Sequence, residues 1–352
     1  MQKKSREIAN AIFQIPIDSS VAIFSHIGVD GDCLGSALAL KFTLEQIGVR
    51  SMIITNETVP EKFFYFPRIS EIMVLPTSLD AKTFIESSFE TQTIDYGILV
   101  DCSSSGRIGE CKDVYESSVQ KIILDHHYTS YCEDELCYID PLACATGEII
   151  YKIIHSLGEI TKKNILTQDT ATSLMASIMA DTGGFRYSNT NKDAFEIAHD
   201  LYSHFPIDIR KLTYHLFEKT SISRIRLQGK AYQAAKFHDN NRIVACSIDQ
   251  AMIEESNAQE GDVDGICSDL KNVEGTLVAF VLRQRISGEI RVNVRSSEEF
   301  DASSFSAFFG GGGHMRAAGF TLTGTTLEYA HRIVVDKAMD IIHQDIRRMQ
   351  QL

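Results

Sequence analysis

Three short apolar runs, each followed at once by an acid or a histidine, constrain this chain more than any other feature. Val21-Ala-Ile-Phe-Ser25 leads into His26-Ile-Gly-Val-Asp30-Gly-Asp32, Gly97-Ile-Leu-Val100 into Asp101, and Lys121-Ile-Ile-Leu124 into Asp125-His126-His127. A fourth run, Ser51-Met-Ile-Ile-Thr55, has the same character. Strands that are apolar throughout, rather than alternating, are buried on both faces, which happens in parallel sheets covered by helices. Between the first two runs, Leu34, Leu38, Phe42 and Ile47 recur at helical spacing, and Gly48 is a C-terminal stop. The first half therefore reads as an α/β domain on a parallel sheet. Functional groups in such sheets gather outside the carboxyl ends of the strands. If the three strands are neighbours, their acids and histidines share one rim.

Helical patterns follow at about 145–157, 167–180 and 192–204. The stretch from Pro206 to Lys236 is helical and charged, with Arg210, Lys211, Lys219, Arg224, Arg226 and Lys230, and reads as a connector. A β-rich pattern then begins, with strands expected at 242–248, 276–283 and 289–295, and a long helix closes the chain from about Leu327. At ~150 residues per domain, 352 residues suggest two domains. The expected division is 1–205, a helical linker 206–236, and a smaller α/β domain 237–352, with the active site in the cleft between them.

The acids ask for cations. A fourth candidate, Asp181, sits in Ala180-Asp-Thr-Gly-Gly-Phe-Arg186 at the end of a helical pattern. Asp30, Asp32, Asp101 and Asp181 together would repel one another, and some would protonate unless positive charge were supplied. Two divalent ions balance four carboxylates, and paired metals are the usual phosphoester-hydrolysing arrangement. Oxygen and imidazole ligands without thiolate suit Mn²⁺ best, and Mg²⁺ or Co²⁺ less clearly. The plainer alternative is that such acids are solvated or cap helices, Asp32 among them.

Composition narrows the partners. With 34 Lys and Arg against 47 Asp and Glu, the formal charge is −13, which argues against a basic face that wraps long nucleic acid. Short anionic ligands held through metal ions stay open. No apolar run approaches the ~20 residues of a membrane span, and the start, Met1-Gln-Lys-Lys-Ser-Arg, leads into no signal-peptide core. The eight cysteines, at 33, 102, 111, 132, 137, 144, 246 and 267, form no CxxC pair and read as reduced thiols of a cytoplasmic protein.

In the second half, Gly310-Gly-Gly-Gly-His314-Met-Arg316 and the strand-end Arg295 stand out. Successive glycines let backbone N–H groups approach an anion closely, and guanidinium suits bidentate phosphate contact. The alternative is a flexible turn. Arg283, Arg285 and Arg291 are expected on a solvated strand face, and Arg107 is left between ligand contact and an ordinary loop position. Arg186 is expected to pair with the acidic rim. His155, His199, His204 and His215 read as ordinary helix residues, Cys33 and Cys102 as small packing residues, and Ser103 to Ser105 as a turn.

His26-Ile-Gly-Val-Asp-Gly-Asp-Cys-Leu-Gly-Ser36, Val100-Asp101, Asp125-His-His127 and Ala180-Asp-Thr-Gly-Gly-Phe-Arg-Tyr187 resemble the four motifs of the DHH phosphoesterase superfamily. Asn293-Val-Arg-Ser296 and Gly310-Gly-Gly-Gly-His-Met-Arg-Ala-Ala-Gly319 resemble its DHH-associated C-terminal domain. Val29, Cys33 and Met315 depart mildly from the pattern, and none removes a ligand. The resemblance is strongest to stand-alone NrnA-like members, which degrade short oligoribonucleotides and remove phosphate from 3′-phosphoadenosine 5′-phosphate (pAp). It implies one metal held by His26, Asp30 and Asp101, and a second held by Asp32, Asp101, His126 and Asp181. It further implies His127 beside the phosphate, Asp125 orienting an imidazole, and a substrate held by Arg295, Gly311, Gly312, Gly313, His314, Arg316 and Arg107. Cyclic or linear dinucleotides are the alternative substrates; inorganic pyrophosphate hydrolysis and a non-catalytic nucleotide-binding role are the rival functions. Oligomeric state, a homodimer included, stays open.

Overall fold

The computed structural model describes residues 2–76, 79–127 and 136–349, so Cys132 lies outside the described residues. The chain divides into two units, Met1–Lys219 and Thr220–Leu352. No helix among the described residues is long and apolar enough to cross a membrane.

The first unit runs α1 (Gln2–Phe13), β1 (Val21–Ser25), α2 (Gly31–Gln46), β2 (Ser51–Thr55), β3 (Met73–Val74), α3 (Ala81–Phe89), β4 (Tyr96–Val100), α4 (Lys112–Glu116), β5 (Gln120–Asp125) and β6 (Cys137–Ile139). Then come α5 (Thr146–Thr161), α6 (Gln168–Asp181), α7 (Lys192–His204) and α8 (Ile209–Thr213). The strands form one parallel sheet in the order β3-β2-β1-β4-β5-β6. The chain builds outward from β1 to β3, then returns to lay β4 against the other side of β1, so the order reverses between β1 and β4. In open α/β sheets this reversal opens a crevice beyond the strand ends. The expected strands are all present, and β1, β4 and β5 are consecutive neighbours. The edge strands β3 and β6 escaped the reading because pieces of two and three residues carry no periodicity.

Successive strand residues face opposite ways, and each face has its own core. Ile23, Ile53, Ile98 and Ile122 pack with Leu34, Leu38, Ile150, Leu174 and Ile178 from α2, α5 and α6. Phe24, Ile54, Leu99 and Ile123 pack with Phe84 and Ile85 of α3 and with Val114 and Tyr115 beside them. Helix α2 is buried along nearly its whole length, Gly31 to Leu44, because α6 covers the side that the sheet does not. Small residues make that closeness possible. A Cβ on Gly35 would come 2.6 Å from the Ser173 carbonyl oxygen, and one on Gly147 2.0 Å from Ser177 Oγ.

The second unit comprises α9 (Ile222–Ala234), β7 (Lys236–His238), β8 (Ile243–Ile248), α10 (Gln250–Ser256), α11 (Ile266–Lys271), β9 (Val278–Gln284), β10 (Ile290–Ser296), α12 (Ala302–Phe308), β11 (Gly312–His314), β12 (Ala317–Leu322) and α13 (Leu327–Met349). Its sheet is mixed, in the order β11-β12-β10-β9-β8-β7, with β8 and β9 parallel and the other pairs antiparallel. On β10, Ile290, Val292 and Val294 enter the core while Arg291, Asn293 and Arg295 are half-buried on the other face. The 206–236 stretch is not one body: Leu212 belongs to the first unit's core, whereas Leu227 and Ala231 of α9 belong to the second's.

Gly35→Ala is expected to destabilise the protein by ~1–3 kcal/mol, the usual cost of overpacking, because the new methyl meets backbone rather than a side chain that could turn away. A chemical denaturation midpoint equal to that of the unaltered protein would contradict the close α2–α6 approach.

Candidate metal centre

The loops after β1, β4 and β5 and the end of α6 bring His26, Asp30, Asp32, Asp101, Asp125, His126, His127 and Asp181 to one rim of the first unit. His26 and Asp101 lie directly after β1 and β4, and Asp125 ends β5. Asp30 caps α2: its Oδ1 accepts from the backbone N–H groups of Asp32 and Cys33, each at 3.0 Å. Capping uses one oxygen of Asp30, and its Oδ2 lies 3.8 Å from His26 Nε2. Asp32, in the first turn of α2 and buried, accepts from the Thr146 backbone N–H at 2.8 Å, from Ser36 Oγ at 3.0 Å and from Ser177 Oγ at 2.5 Å. Three helices thus hold one carboxylate, and the N-terminus of α5 supplies part of the positive field it needs.

Asp101 is the centre of the arrangement. Its Oδ2 lies 3.3 Å from His26 Nε2 and its Oδ1 3.6 Å from His126 Nε2. Thr146 Oγ1 donates to the same Oδ1 at 2.8 Å. The residue has a left-handed backbone, φ 63°, which Asp tolerates better than most side chains. Around His126 Nε2 stand Asp32 Oδ2 at 3.5 Å and Asp181 Oδ2 at 3.6 Å. Two groups of ligand atoms result, one with His26 and Asp30, the other with Asp32, His126 and Asp181, and Asp101 gives one oxygen to each.

The imidazoles are oriented for this. His26 Nδ1 lies 2.9 Å from the Ile27 carbonyl and His126 Nδ1 3.2 Å from the Ala143 carbonyl. A carbonyl only accepts, so each Nδ1 carries a proton, and each Nε2 is left facing the carboxylates, where its lone pair would be available to a metal ion once that nitrogen is deprotonated. His127 differs: its Nδ1 is 2.8 Å from Asp125 Oδ1, which also accepts its backbone N–H at 3.1 Å. Asp125 therefore orients His127, not His126.

Charge crowding shows in the proton affinities. Burial, and then the neighbouring Asp32 and Asp30, hold the Asp101 carboxyl well above the usual carboxylate range. Burial and Asp32 push Asp181 up to about 7. For His126, burial acts downward, but Asp32, Asp101 and Asp181 outweigh it and raise the imidazole to about 9. Oxygen and imidazole donors that converge closely enough to retain protons at neutral pH fit divalent cations of the Mn²⁺ type, which bind as those protons leave. Cys33 Sγ also lies close to His26 and Asp30. Burial, with Asp30 and Asp101 adding to it, raises that thiol well above its ordinary range, which opposes the thiolate a metal would need. Cys33, Cys102, Cys111, Cys144, Cys246 and Cys267 are buried free thiols.

Several supports left no motif in the sequence. Thr146, Ser36 and Ser177 carry hydroxyls that look generic until three helices meet. Asn189 donates to Asp181 Oδ2 at 3.0 Å and to the Cys144 carbonyl at 2.9 Å, fixing the turn after α6. The recognisable hint was Ala145-Thr-Gly-Glu148 opening a helix just where a rim carboxylate would want backbone donors. Arg186 departs from expectation: its guanidinium donates to the Gly183 carbonyl and lies over the Phe217 ring rather than pairing with the acids. Arg107 is exposed in the loop after β4, and its carbonyl accepts from Ile27 N at 2.8 Å, tying that loop to the one after β1.

In the second unit, β11 pairs Gly312, Gly313 and His314 with Gly319, Ala318 and Ala317. Strand packing explains two of the glycines: a Cβ on Gly311 would meet the Gly319 carbonyl at 2.3 Å, and one on Gly313 the Ala317 carbonyl at 2.6 Å. Gly312 faces open space. By register His314 lies across Ala317 from Arg295. Arg316 Nη1 donates to the Ser297 and Phe300 carbonyls at 2.8 and 3.1 Å, so this residue shapes the loop.

Comparison with known proteins assigns a family domain to each unit. The DHH family N-terminal domain matches residues 20–178, and the DHHA1 domain matches residues 240–346. The bifunctional oligoribonuclease and PAP phosphatase NrnA of Thermus thermophilus is 27% identical over 332 residues, covering 94% of this chain and 92% of its own. An exopolyphosphatase-related protein from Bacteroides fragilis shares the fold with a TM-score of 0.84 at 24% identity, over 96% of both chains. RecJ from Thermus thermophilus, solved in complex with Mn²⁺, gives 0.59 at 14% identity over 97% of this chain and 55% of that one.

The raised values of Asp181 and His126 set a sign. A folded-state value above the unfolded one stabilises the protein below the unfolded value and is lost as pH climbs through the folded value. Without metal, the melting temperature should therefore fall between about pH 5 and pH 9, as Asp181 loses its proton near 7 and His126 near 9. Added Mn²⁺ should stabilise more at higher pH, because its ligands must be deprotonated. Melting curves in EDTA and in Mn²⁺ across that range test both; a metal effect that shrinks with rising pH would refute the assignment.

Proposed function

As a member of the DHH phosphoesterases, with a DHHA1 domain following its DHH domain, this chain is, we propose, a two-cation hydrolase that cuts short oligoribonucleotides to mononucleotides and converts pAp to AMP. The observation that supports this most is the division of the Asp101 carboxylate, with one oxygen toward His26 and the other toward His126. A shared carboxylate of this kind is how two cations are kept within reach of one phosphoryl group. His26, Asp30 and Asp101 would hold a first ion, and Asp32, Asp101, His126 and Asp181 a second. Such a pair, Mn²⁺ by preference, would supply Lewis acidity toward a bound water and toward the phosphoryl oxygens.

The remaining residues orient and bind. Asp125 keeps the proton of His127 on Nδ1 and fixes the ring against rotation, and His127 contacts the phosphate through Nε2. Arg107, exposed in the loop after β4, contributes a guanidinium to a non-bridging oxygen in this reading. Recognition falls to the second unit, where Gly312 and Gly313 offer backbone donors and His314 and Arg295 flank them. The relative in Thermus thermophilus is named for both activities proposed here, and the low identity is why the substrate is a proposal.

Asp101→Asn keeps the left-handed backbone available but removes the shared charge, so kcat should fall at least ~100-fold on every substrate. Its metal-free form should melt higher than the unaltered protein, since buried like charge is relieved. Arg295→Ala should instead raise KM with kcat little changed, the pattern of lost ground-state binding. Rates on pAp, a diribonucleotide, linear pApA, cyclic di-AMP and an RNA 24-mer, with and without Mn²⁺, decide the substrate. Absence of Mn²⁺-dependent hydrolysis in the whole panel, or equal turnover of the 24-mer and the dimer, would overturn the reading.

A further inference from the structure

We propose that Glu57 is a positioning residue for the first cation, acting on His26 through the single peptide unit that joins Ile27 to Gly28. The proposal rests on the two-cation reading above and deepens it. Glu57 holds no ion in that reading, and it stands after β2, outside the motifs that carry the other site residues.

One peptide links the two side chains. His26 Nδ1 lies 2.9 Å from the Ile27 carbonyl, and the N–H of the same peptide unit, on Gly28, donates to Glu57 Oε1. The C=O and N–H of a trans peptide point in opposite directions, so imidazole and carboxylate hold it from its two sides. The Val29 N–H donates to the same Oε1 at 3.0 Å. Gly28 has φ 74°, a left-handed conformation that turns successive N–H groups toward one anion. Rotating the peptide would cost its bond to Glu57. While it stays in place, its carbonyl keeps a proton of His26 on Nδ1 and leaves Nε2 for the cation shared with Asp30 and Asp101. Carboxylates that orient a ligating imidazole commonly touch it directly. Here a peptide is interposed, and hydrogen bonds in series polarise one another.

Glu57 is itself held in place. Strands β1 and β2 are parallel neighbours with Phe24 level with Ile54, so the residues after them emerge side by side. Thr55 is fully buried, and its Oγ1 donates to the Glu57 carbonyl at 3.0 Å. Asn56 Oδ1 accepts from the Glu110 N–H at 2.6 Å. Gly109 leaves room for this, since a Cβ there would meet Asn56 Oδ1 at 2.6 Å. The Ile27 N–H donates to the Arg107 carbonyl at 2.8 Å. Hydrogen bonds thus tie the loops after β1, β2 and β4 together around the Ile27–Gly28 peptide. Two backbone donors on one oxygen favour a carboxylate there over a neutral acceptor.

The test compares full-length Glu57→Ala and Glu57→Gln with the unaltered protein. The glutamine side-chain oxygen can still accept both N–H groups, whereas alanine leaves them to water. Calorimetric titration with Mn²⁺ should show one ion bound ~10–100-fold more weakly by Glu57→Ala, the usual effect of losing a residue that orients a ligand. The other ion, on Asp32, His126 and Asp181, should keep its affinity, and Glu57→Gln should regain most of the loss at the first. In EDTA at alkaline pH, nitrogen-15 spectra of labelled histidine should show His26 protonated on Nδ1 in the unaltered protein and in Glu57→Gln. In Glu57→Ala the form protonated on Nε2 should become populated. Unchanged affinity for the first ion, equal weakening of both ions, or a His26 spectrum that alanine leaves unaltered overturns the proposal. Should the unaltered protein bind no Mn²⁺, the two-cation reading falls, and the metal-free His26 spectra still decide whether Glu57 sets that imidazole.

Discussion

Negative charge packed into a water-poor rim is the constraint around which the first unit is organised. Asp32 and Asp101 are almost wholly buried, with Asp30 and Asp181 close by, and nothing in Coulomb's law favours such a group by itself. What keeps it together is structure formed elsewhere: a parallel sheet whose strand order reverses between β1 and β4, and a seam of small residues that lets α2, α5 and α6 close on one another. Ser177, Thr146 and Ser36 then reach carboxylates that no water shell surrounds. The folding energy of an apolar core is in effect used to hold acids in a state that only protons or cations relieve. A site of this kind would gain from a divalent cation because its carboxylates are poorly satisfied without one.

The two units place different charged groups at their sheets. The first gathers carboxylates and would attract phosphate only through cations. The second carries arginines on one face of β10, on a sheet whose opposite face is apolar core. Placing the arginines at alternate positions of β10 keeps their charge out of that core without breaking the strand.

Much of this was legible in the residues alone because the relevant signals are local. Each strand before the site is a continuous apolar run, and each ligand follows its strand within a few positions, so His26, Asp101 and His126 could be placed on one rim from pattern. Helix α7 and the start of α13 fall where periodicity puts them. The short edge strands β3 and β6, and the hairpin of β11 and β12, were missed because so few residues carry no period. Arg186 was assigned to the acids on charge alone, yet the turn after α6, with Gly183, Gly184 and Phe185 all at positive φ, directs it to a carbonyl and the Phe217 ring.

The arginines of β9 and β10 show the same limit from the other side, for alternation read correctly as a polar strand face says nothing of what stands opposite. Sequence by itself determined which side chains are available: carboxylates and imidazoles at the ends of buried strands, glycines before a histidine, arginines at every second position. Tertiary structure alone decided that one Asp101 oxygen faces each histidine, that Thr146 and Ser177 hold the carboxylates, and that Arg283 meets Arg291. Those facts depend on strand order, register and helix approach, which are set by contacts between residues far apart in the chain, and no short window of sequence contains them.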